Sequence, residues 1–232
     1  MAKTFTKIGK EITIAVKQGG PDVVGNSRLR ALMAEARSEN MPKDNVEKAI
    51  KRALEKNQGD FKEVVFEGYG PHGIAYLVET ATDNNTRTVA NVRSYFTKCG
   101  GSLGTSGSVS FMFDHKCVFR IKYHEGMDID ELQLALCECD DDPEVFIEEQ
   151  EDKDENITKN VVIYGAYESY GAIQKYIEDN GYELVSGGFE RIPNVELKDV
   201  TPEQRETLDK LTGLLEDDDD VTNVYSTLKP AE

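Results

Sequence analysis

The stretch from residue 66 to residue 113 constrains the fold more than any other part of this 232-residue chain. Two β-rich runs, residues 64–67 and 74–80, flank a turn that is rich in glycine and proline. This arrangement predicts a β-hairpin. The polar sequence D-N-N-T at residues 83–86 then introduces a helix, and the glycine pair that follows position 99 would end it, because glycine accepts the left-handed conformation of a helix C-terminus.

The helix predicted in this stretch has two distinct faces. Its apolar face can lie on the sheet and consists of Val89, Val92, Phe96 and Cys99. Its opposite face is polar and mildly basic, and it consists of Arg87, Asn91, Ser94 and Lys98. A strand is expected at residues 108–113. The whole stretch therefore predicts a small α/β sandwich with a polar outer face.

The net charge of −17 is distributed unevenly along the chain. Residues 1–60 contain 12 Lys and Arg against 8 Asp and Glu, residues 61–126 contain 7 against 6, and residues 127–232 contain 8 against 30. A chain with a basic end and an acidic end is expected to bind different partners with each. We expect a polyanion at the basic end and a basic protein surface at the acidic end.

Residues 1–60 predict a small three-helix domain with basic outer faces. In the first helix, at residues 4–18, lysines cluster within roughly 80° of the helical wheel, and no acidic residue interrupts them. Asn26 or Ser27 can cap a second helix, and Pro42 suits the first position of a third. Because Asp44 near the start of the third helix repels phosphate, we expect contacts to the nucleic-acid backbone rather than to bases.

The predicted nucleic-acid contacts combine these helices with the polar face of the central helix. They are Lys3, Lys7, Lys10, Lys17, Arg30, Arg37, Lys48, Lys51, Arg52, Arg87, Asn91 and Lys98. An ordinary solvated face is the alternative interpretation of the lysines. The interpretation as a binding surface requires that the lysines of the first helix stay open, because carboxylates folded over them would neutralise the surface.

Several sequences that resemble ligand-binding motifs lack the required context. The G-x-G-x-x-G pattern at residues 68–73 lies between two strands, whereas a dinucleotide fingerprint opens a helix. The glycine-rich residues 100–107 lack the G-K-[ST] of a phosphate loop. The aspartate run at residues 217–220 lacks the glycine and the alternating ligands of a calcium loop, so it predicts a solvated turn.

Cysteine and histidine positions do not predict a metal or redox site, since the four cysteines form no C-x-x-C pair and the three histidines share no helical spacing with a cysteine. No spacing of nucleophile, base and acid indicates catalysis. We predict a protein that is not an enzyme and has no cofactor, metal or small-molecule substrate. No apolar run approaches the roughly 18 residues of a membrane helix, so we expect no membrane contact and a cytoplasmic location.

The remaining elements predict how the chain divides into domains. A helix that begins at Thr201-Pro202 and a strand at residues 221–225 cannot fold alone, so we expect them to complete the sheet of the central stretch. The predicted fold is α+β and multidomain, with a small three-helix N-terminal domain and two α/β sandwich (ferredoxin-like) domains, one inserted in the other. The boundaries are 1–60, with a linker at residues 57–60, then 61–126 with 190–232 as a discontinuous domain, and 127–189 as the inserted acidic domain.

Motifs along nearly the whole chain resemble those of one family. They are F-T-K-I-G-K-E-I at residue 5, N-S-R-L-R-A-L at residue 26, N-M-P-K-D-N-V-E-K-A-I at residue 40, G-Y-G-P-H-G at residue 68, D-N-N-T-R-T-V-A-N-V-R at residue 83 and L-L-E-D-D-D-D-V-T-N-V-Y at residue 214. In this order they resemble the YebC/PmpR family of transcriptional regulators and translational activators.

The resemblance implies a helical N-terminal domain, two α/β domains and a role in gene expression. Members of the family are described as probable transcriptional regulators that bind promoter DNA, and others as translational activators on the ribosome, including relief of stalls at proline-rich stretches. Members usually carry a basic leader with a Lys-Trp pair before the F-T-K motif. This sequence begins close to that motif and has no Trp, so any contact made by such a leader is left open.

Three functions are therefore distinguished by the sequence. The leading one is a non-enzymatic regulator of gene expression that binds nucleic acid, either promoter DNA or ribosomal RNA. A ribosome-associated translational activator or stall-relief factor is the first alternative, because a strongly acidic segment is repelled by a bare duplex but can meet basic ribosomal proteins. The second alternative is a protein-binding adaptor that works through its acidic domains.

Overall fold

Three helices open the chain, and the computed structural model describes residues 2–55, 60–151 and 157–231. The helices are α1 (Ala2–Gly19), α2 (Ser27–Ser38) and α3 (Lys43–Leu54). The Asn26 side chain accepts a hydrogen bond from the Leu29 amide and so caps α2, as predicted. Most of the predicted linker, residues 57–59, lies outside the described residues.

The elements after these helices form two four-stranded sheets with their helices. They are β1 (Lys62–Tyr69), β2 (Ala75–Thr82), α4 (Asn85–Lys98), β3 (Ser102–Leu103), β4 (Phe113–Lys122), α5 (Ile129–Leu136), β5 (Glu144–Glu151), β6 (Ile157–Ala166), α6 (Tyr170–Asp179), β7 (Leu184–Pro193), α7 (Pro202–Glu216) and β8 (Val221–Ser226). The predicted α+β class is confirmed. None of the helices in the described ranges is long and apolar enough to span a bilayer.

The chain divides into two compact units. The first unit comprises Met1–Ile14, Lys48–Asp114 and Arg191–Glu232, and the second comprises Ala15–Glu47 and His115–Glu190. This division differs from the sequence-based boundaries, because β4 pairs with β6 over seven residue pairs and Ala31 of α2 packs in the same core as β4. The domain boundaries at residues 60, 126 and 190 stay a prediction.

The sheet of the first unit has the order β3-β1-β2-β8. The predicted hairpin is confirmed, since β1 and β2 are antiparallel neighbours over eight residue pairs. β8 pairs with β2, so the last strand completes this sheet. α4 and α7 contribute Phe96 and Leu211 to a core that also contains Tyr76, whose ring meets that of Phe96 edge to face at 5.8 Å.

The strand expected at residues 108–113 is wrong. Residues Ser110–Met112 form a short 3-10 helix, and β4 begins only at Phe113. The cause is the buried carboxylate of Glu67, which accepts hydrogen bonds of 2.7 to 2.8 Å from the amides of Gly107, Val109 and Ser110. Because these donors are used by a side chain, they are not available to a strand ladder.

The sheet of the second unit has the order β5-β6-β4-β7, and α5 and α6 contribute to its core. Phe119 and Ile163 from the sheet pack with Leu136, Ile173 and Ile177 from the helices, and all five side chains are fully buried. Such a core is typical of helices that cover one face of an antiparallel sheet.

Candidate nucleic-acid interface

Nine of the twelve predicted contact residues belong to the first unit. Lys17, Arg30 and Arg37 belong to the second unit. The nine residues of the first unit come from α1, α3 and α4, which are distant in sequence. Their positions therefore depend on how the first unit folds.

A depression of about 510 Å³ in the first unit brings four of these nine residues together. They are Lys10, Arg52, Arg87 and Asn91, and Phe61 lies among them. The other side of the depression is formed by residues 217–220, which connect α7 to β8 and which we call the acidic turn. The complete lining is Thr6, Lys10, Arg52, Phe61, Asp83, Arg87, Asn91, Asp217, Asp218, Asp219 and Asp220.

Asp220 is the most enclosed carboxylate of the acidic turn. Its oxygens accept hydrogen bonds from Lys10 Nζ at 2.7 Å, from Arg87 Nη2 at 2.6 Å and from the Thr88 hydroxyl at 2.8 Å. Burial by itself would raise the pKa of the Asp220 carboxyl, but the hydrogen bonds from Lys10, Arg87 and Thr88 lower it to about 2. Asp220 is therefore ionised at neutral pH and holds two of the predicted contact residues.

The rest of the acidic turn continues along α1. Lys3 Nζ lies 2.5 Å from Asp217 Oδ1, and both side chains are exposed. Lys7 Nζ donates to the Glu216 carbonyl at 3.2 Å, and burial lowers the pKa of Lys7 although the charge of Glu216 opposes this. Three of the four predicted lysines of α1 therefore contact carboxylate or carbonyl oxygens of residues 216–220, whereas the interpretation as a binding surface required these lysines to stay open.

The polar face of α4 also meets the acidic turn. Asp218 accepts a hydrogen bond from Asn91 Nδ2 at 3.2 Å and one from the Tyr95 hydroxyl at 2.9 Å. Burial, and then the adjacent Asp218 carboxylate, raise the pKa of Tyr95 to about 12. Lys98 Nζ lies 5.9 Å from the centroid of the Tyr95 ring on an exposed part of the helix.

Arg52 occupies the α3 side of the depression. Its guanidinium lies 4.4 Å from the centroid of the Phe61 ring, and Lys10 Nζ lies 5.3 Å from the same centroid. Arg52 Nε is buried, and no acceptor within the described ranges hydrogen-bonds to it. Lys48 and Lys51 lie on the exposed side of the same helix.

The three predicted residues of the second unit differ in their surroundings. Arg30 donates to both carboxylate oxygens of Glu178, at 2.8 and 3.2 Å, and to the carbonyls of Val23 and Val24. This bidentate contact and the two carbonyl contacts join α2 to α6 and to the loop before α2, so Arg30 has a structural role in this unit. Lys17 and Arg37 are exposed near the ends of their helices.

The glycine-rich motifs and the cysteines provide no competing site. The motif at residues 68–73 covers the end of β1 and the turn to β2, so it lies in a hairpin as predicted, and His72 in the turn adopts a positive φ of 63°. Burial raises the pKa of Cys117 to about 12, which makes it an inert thiol. In the described part of the chain, no three His, Cys, Asp or Glu side chains are placed to hold a metal ion.

Sequence reasoning missed the acidic turn as a part of this site. It treated the four aspartates as a solvated turn, although the lysines of α1 recur every three or four residues and offer a complementary row of charges. This complementary charge pattern is the sequence signal that could have indicated the contact between α1 and the acidic turn. Phe61, which stacks with Arg52, was missed because it follows the residues assigned to a linker.

Two family models match the chain. The model described as "TACO1/YebC protein N-terminal domain" matches residues 1–56, and the model described as "TACO1/YebC second and third domain" matches residues 61–228. Together they cover both units of the structure.

Individual relatives and a solved structure agree with these models. A "Probable transcriptional regulatory protein" from Parabacteroides distasonis is 58% identical over 99% of this chain and 90% of its own length. A protein of the same description from Bacteroides thetaiotaomicron is 56% identical over 100% of this chain and 91% of its own. The crystal structure of a conserved hypothetical protein from Aquifex aeolicus superimposes with a TM-score of 0.79 at 32% identity, covering 100% of this chain and 91% of that one.

Proposed function

Since this chain belongs to the YebC family, we propose that it is a non-enzymatic regulator of gene expression that binds nucleic acid. The family membership rests on the two matching models and on relatives with more than half of their residues identical. Those relatives are described as probable transcriptional regulatory proteins, and this description supports a regulatory role here.

The observation that carries the nucleic-acid part of the proposal is the depression in the first unit. It brings Arg52 together with Lys10, Arg87 and Asn91, of which Lys10 and Arg87 are held by Asp220 and Asn91 by Asp218. Arginine is a frequent phosphate contact, and Arg52, supported by the Phe61 ring, is the cation of the depression that we assign to phosphate. Lys48, Lys51 and Lys98 are further exposed cations on α3 and α4.

The charge of the two units favours contact through the first. The first unit contains 16 Lys and Arg against 19 Asp and Glu, a net charge of −3, whereas the second contains 11 against 25, a net charge of −14. A polyanion approaching the protein is repelled much less by the first unit. We therefore assign the nucleic-acid contact to the first unit.

Action on the ribosome is the second candidate, and the charge of the second unit favours it. A unit with a net charge of −14 gains nothing from a bare duplex, but it complements the basic proteins that coat ribosomal RNA. Promoter DNA and ribosomal RNA are thus the two targets to compare.

The test is the salt dependence of binding to a short DNA duplex and to a structured RNA of equal length. A phosphate contact at Arg52 predicts that Arg52→Gln weakens both complexes by about tenfold and reduces the slope of log affinity against log salt by about one. Lys62→Gln is the matched control, since Lys62 is exposed in the same unit but does not line the depression. Cosedimentation with ribosomes then separates the two targets.

An affinity that does not change with salt, or an Arg52→Gln variant that binds like the Lys62→Gln variant, would overturn this proposal. Circular dichroism of each variant establishes that the fold is retained, so that a loss of binding is not a loss of structure.

A further inference from the structure

The acidic turn runs along α1 in register with its lysines. Asp217 meets Lys3, the Glu216 carbonyl meets Lys7, and the Asp219 carbonyl together with the Asp220 carboxylate meets Lys10. Lys3 and Lys10 are seven residues apart on the helix, which places them about 10 Å apart along its axis. Carboxylate and carbonyl oxygens of residues 216–220 thus form a row of acceptors against a row of ammonium groups, as the phosphate oxygens of a nucleic acid strand would.

The inner and outer aspartates of the turn differ in how firmly they are held. Asp220 is buried and accepts hydrogen bonds from residues of α1, β2 and α4. The Asp217 side chain is 74% exposed, and its partner Lys3 is 55% exposed. Exposed ion pairs of this kind are weak and are screened by salt. The Asp217 carboxylate can therefore leave Lys3 while Asp220 stays in place. The Asp219 side chain is exposed as well, and its charge acts on Lys7 from nearby.

Arg52 supplies an independent indication that an anion belongs in this depression. Its Nε is buried and has no acceptor among the residues described. A buried donor without an acceptor is costly, and because Arg52 lines the depression, an oxygen atom bound there would give its guanidinium an acceptor. The acidic turn lies on the opposite side of the same depression.

We propose that the outer part of the acidic turn, Asp217 and Asp219, occupies the place of phosphate groups, and that a nucleic acid binds here by displacing it from α1. This inference rests on the proposed function and specifies how that site is controlled. In the bound state phosphates contact Lys3, Lys7 and Arg52, and Asp220 keeps Lys10 and Arg87 in position. The turn therefore selects for ligands of high charge density, because a weakly charged ligand does not compete with it.

The test measures binding of a labelled single-stranded RNA to the double variant Asp217→Asn/Asp219→Asn. The amides keep the size of the side chains but remove both charges, so the affinity is expected to rise by about tenfold at low salt. The double variant Glu206→Gln/Asp209→Asn is the matched control, since it removes two exposed charges from α7 away from the turn. It is expected to change the affinity by less than about twofold.

One further variant and one further ligand distinguish binding at this site from a general effect of the protein's net charge. Adding Arg52→Gln to the Asp217→Asn/Asp219→Asn variant should cancel most of the gain, and a gain that persists without Arg52 would overturn the proposal. Inorganic polyphosphate of the same total charge should also gain affinity in the double variant. A gain for polyphosphate without any gain for RNA would overturn the assignment of the site to nucleic acid.

The outcomes also separate this inference from the proposed function. If the unmodified protein binds RNA and the double variant binds no more tightly than the control variant, displacement of the turn is refuted while nucleic-acid binding stands. If neither protein binds RNA at any salt concentration, the proposed function fails, and this inference fails with it.

Discussion

Lys10 Nζ lies 2.7 Å from Asp220 Oδ1, and both side chains are nearly buried, with 11% and 7% of their surface exposed. The pair joins α1 to the turn before β8, although the two residues are 210 positions apart in the chain. Arg87 reaches the other oxygen of the same carboxylate from α4. One carboxylate thus connects three elements of the first unit, so its removal should destabilise that unit as a whole.

Replacing Asp220 by Asn should destabilise the protein strongly. The substitution keeps the shape but removes the charge between two cations, and breaking a buried pair in this way typically costs about 3 kcal/mol. Urea unfolding, followed by circular dichroism, measures the change in the free energy of unfolding. Asp217→Asn is the control, and because that carboxylate is exposed its effect should be much smaller. Equal effects of the two variants would contradict a central role for Asp220.

The stability of the protein should also fall at acidic pH because of this carboxylate. The folded-state pKa of Asp220, about 2, is lower than the ordinary value of 3.8, so folding favours the ionised form. The resulting stabilisation is complete above about pH 4 and is lost as the pH falls towards about 2. The difference in unfolding free energy between the unmodified protein and Asp220→Asn should therefore shrink over this range. A constant difference down to about pH 2 would argue against a lowered pKa.

Local signals in the sequence were sufficient for most helices and strands. Thr201 caps α7, with Pro202 at its first position, and Gln204 completes a capping box, so the start of this helix could be predicted from neighbouring residues. The strand predicted at residues 108–113 was wrong for a long-range reason. The Glu67 carboxylate accepts hydrogen bonds from backbone amides some 40 positions away. Strand propensity contains no information about such a contact.

The candidate site was predictable only in part for the same reason. The cationic residues of α1, α3 and α4 were found from helical periodicity, which depends on residues three and four apart. The partners of Lys3 and Lys10, Asp217 and Asp220, lie 214 and 210 residues further along the chain. An aspartate run has the same local pattern whether it is solvated or paired, so the sequence alone could not show which cations stay open.

A second buried carboxylate, Glu67, should control the glycine-rich loop after β3. Burial favours its neutral form, but three backbone amides oppose this and give a lowered pKa. Glu67→Gln places an amide donor against those N–H groups, and an unsatisfied buried donor typically costs about 2 kcal/mol. Hydrogen exchange at Gly107, Val109 and Ser110 should become faster than in the unmodified protein.

Glu63→Gln is the matched control for this prediction. Glu63 lies four residues earlier on β1 and is exposed, so its substitution should change the unfolding free energy by less than about 0.5 kcal/mol. Unchanged exchange at the three amides in Glu67→Gln would show that the loop is held by other contacts.

Arg30→Lys distinguishes a structural arginine from a nucleic-acid contact. Lysine keeps the positive charge but cannot form the fork that Arg30 makes with both oxygens of Glu178, and it cannot at the same time reach the carbonyls of Val23 and Val24. Because the pair is partly exposed, the expected loss of stability is about 1 kcal/mol, with nucleic-acid affinity unchanged. Arg37→Lys on the same helix should alter neither quantity. A variant Arg30→Lys that keeps its stability but binds nucleic acid more weakly would instead assign Arg30 to the interface.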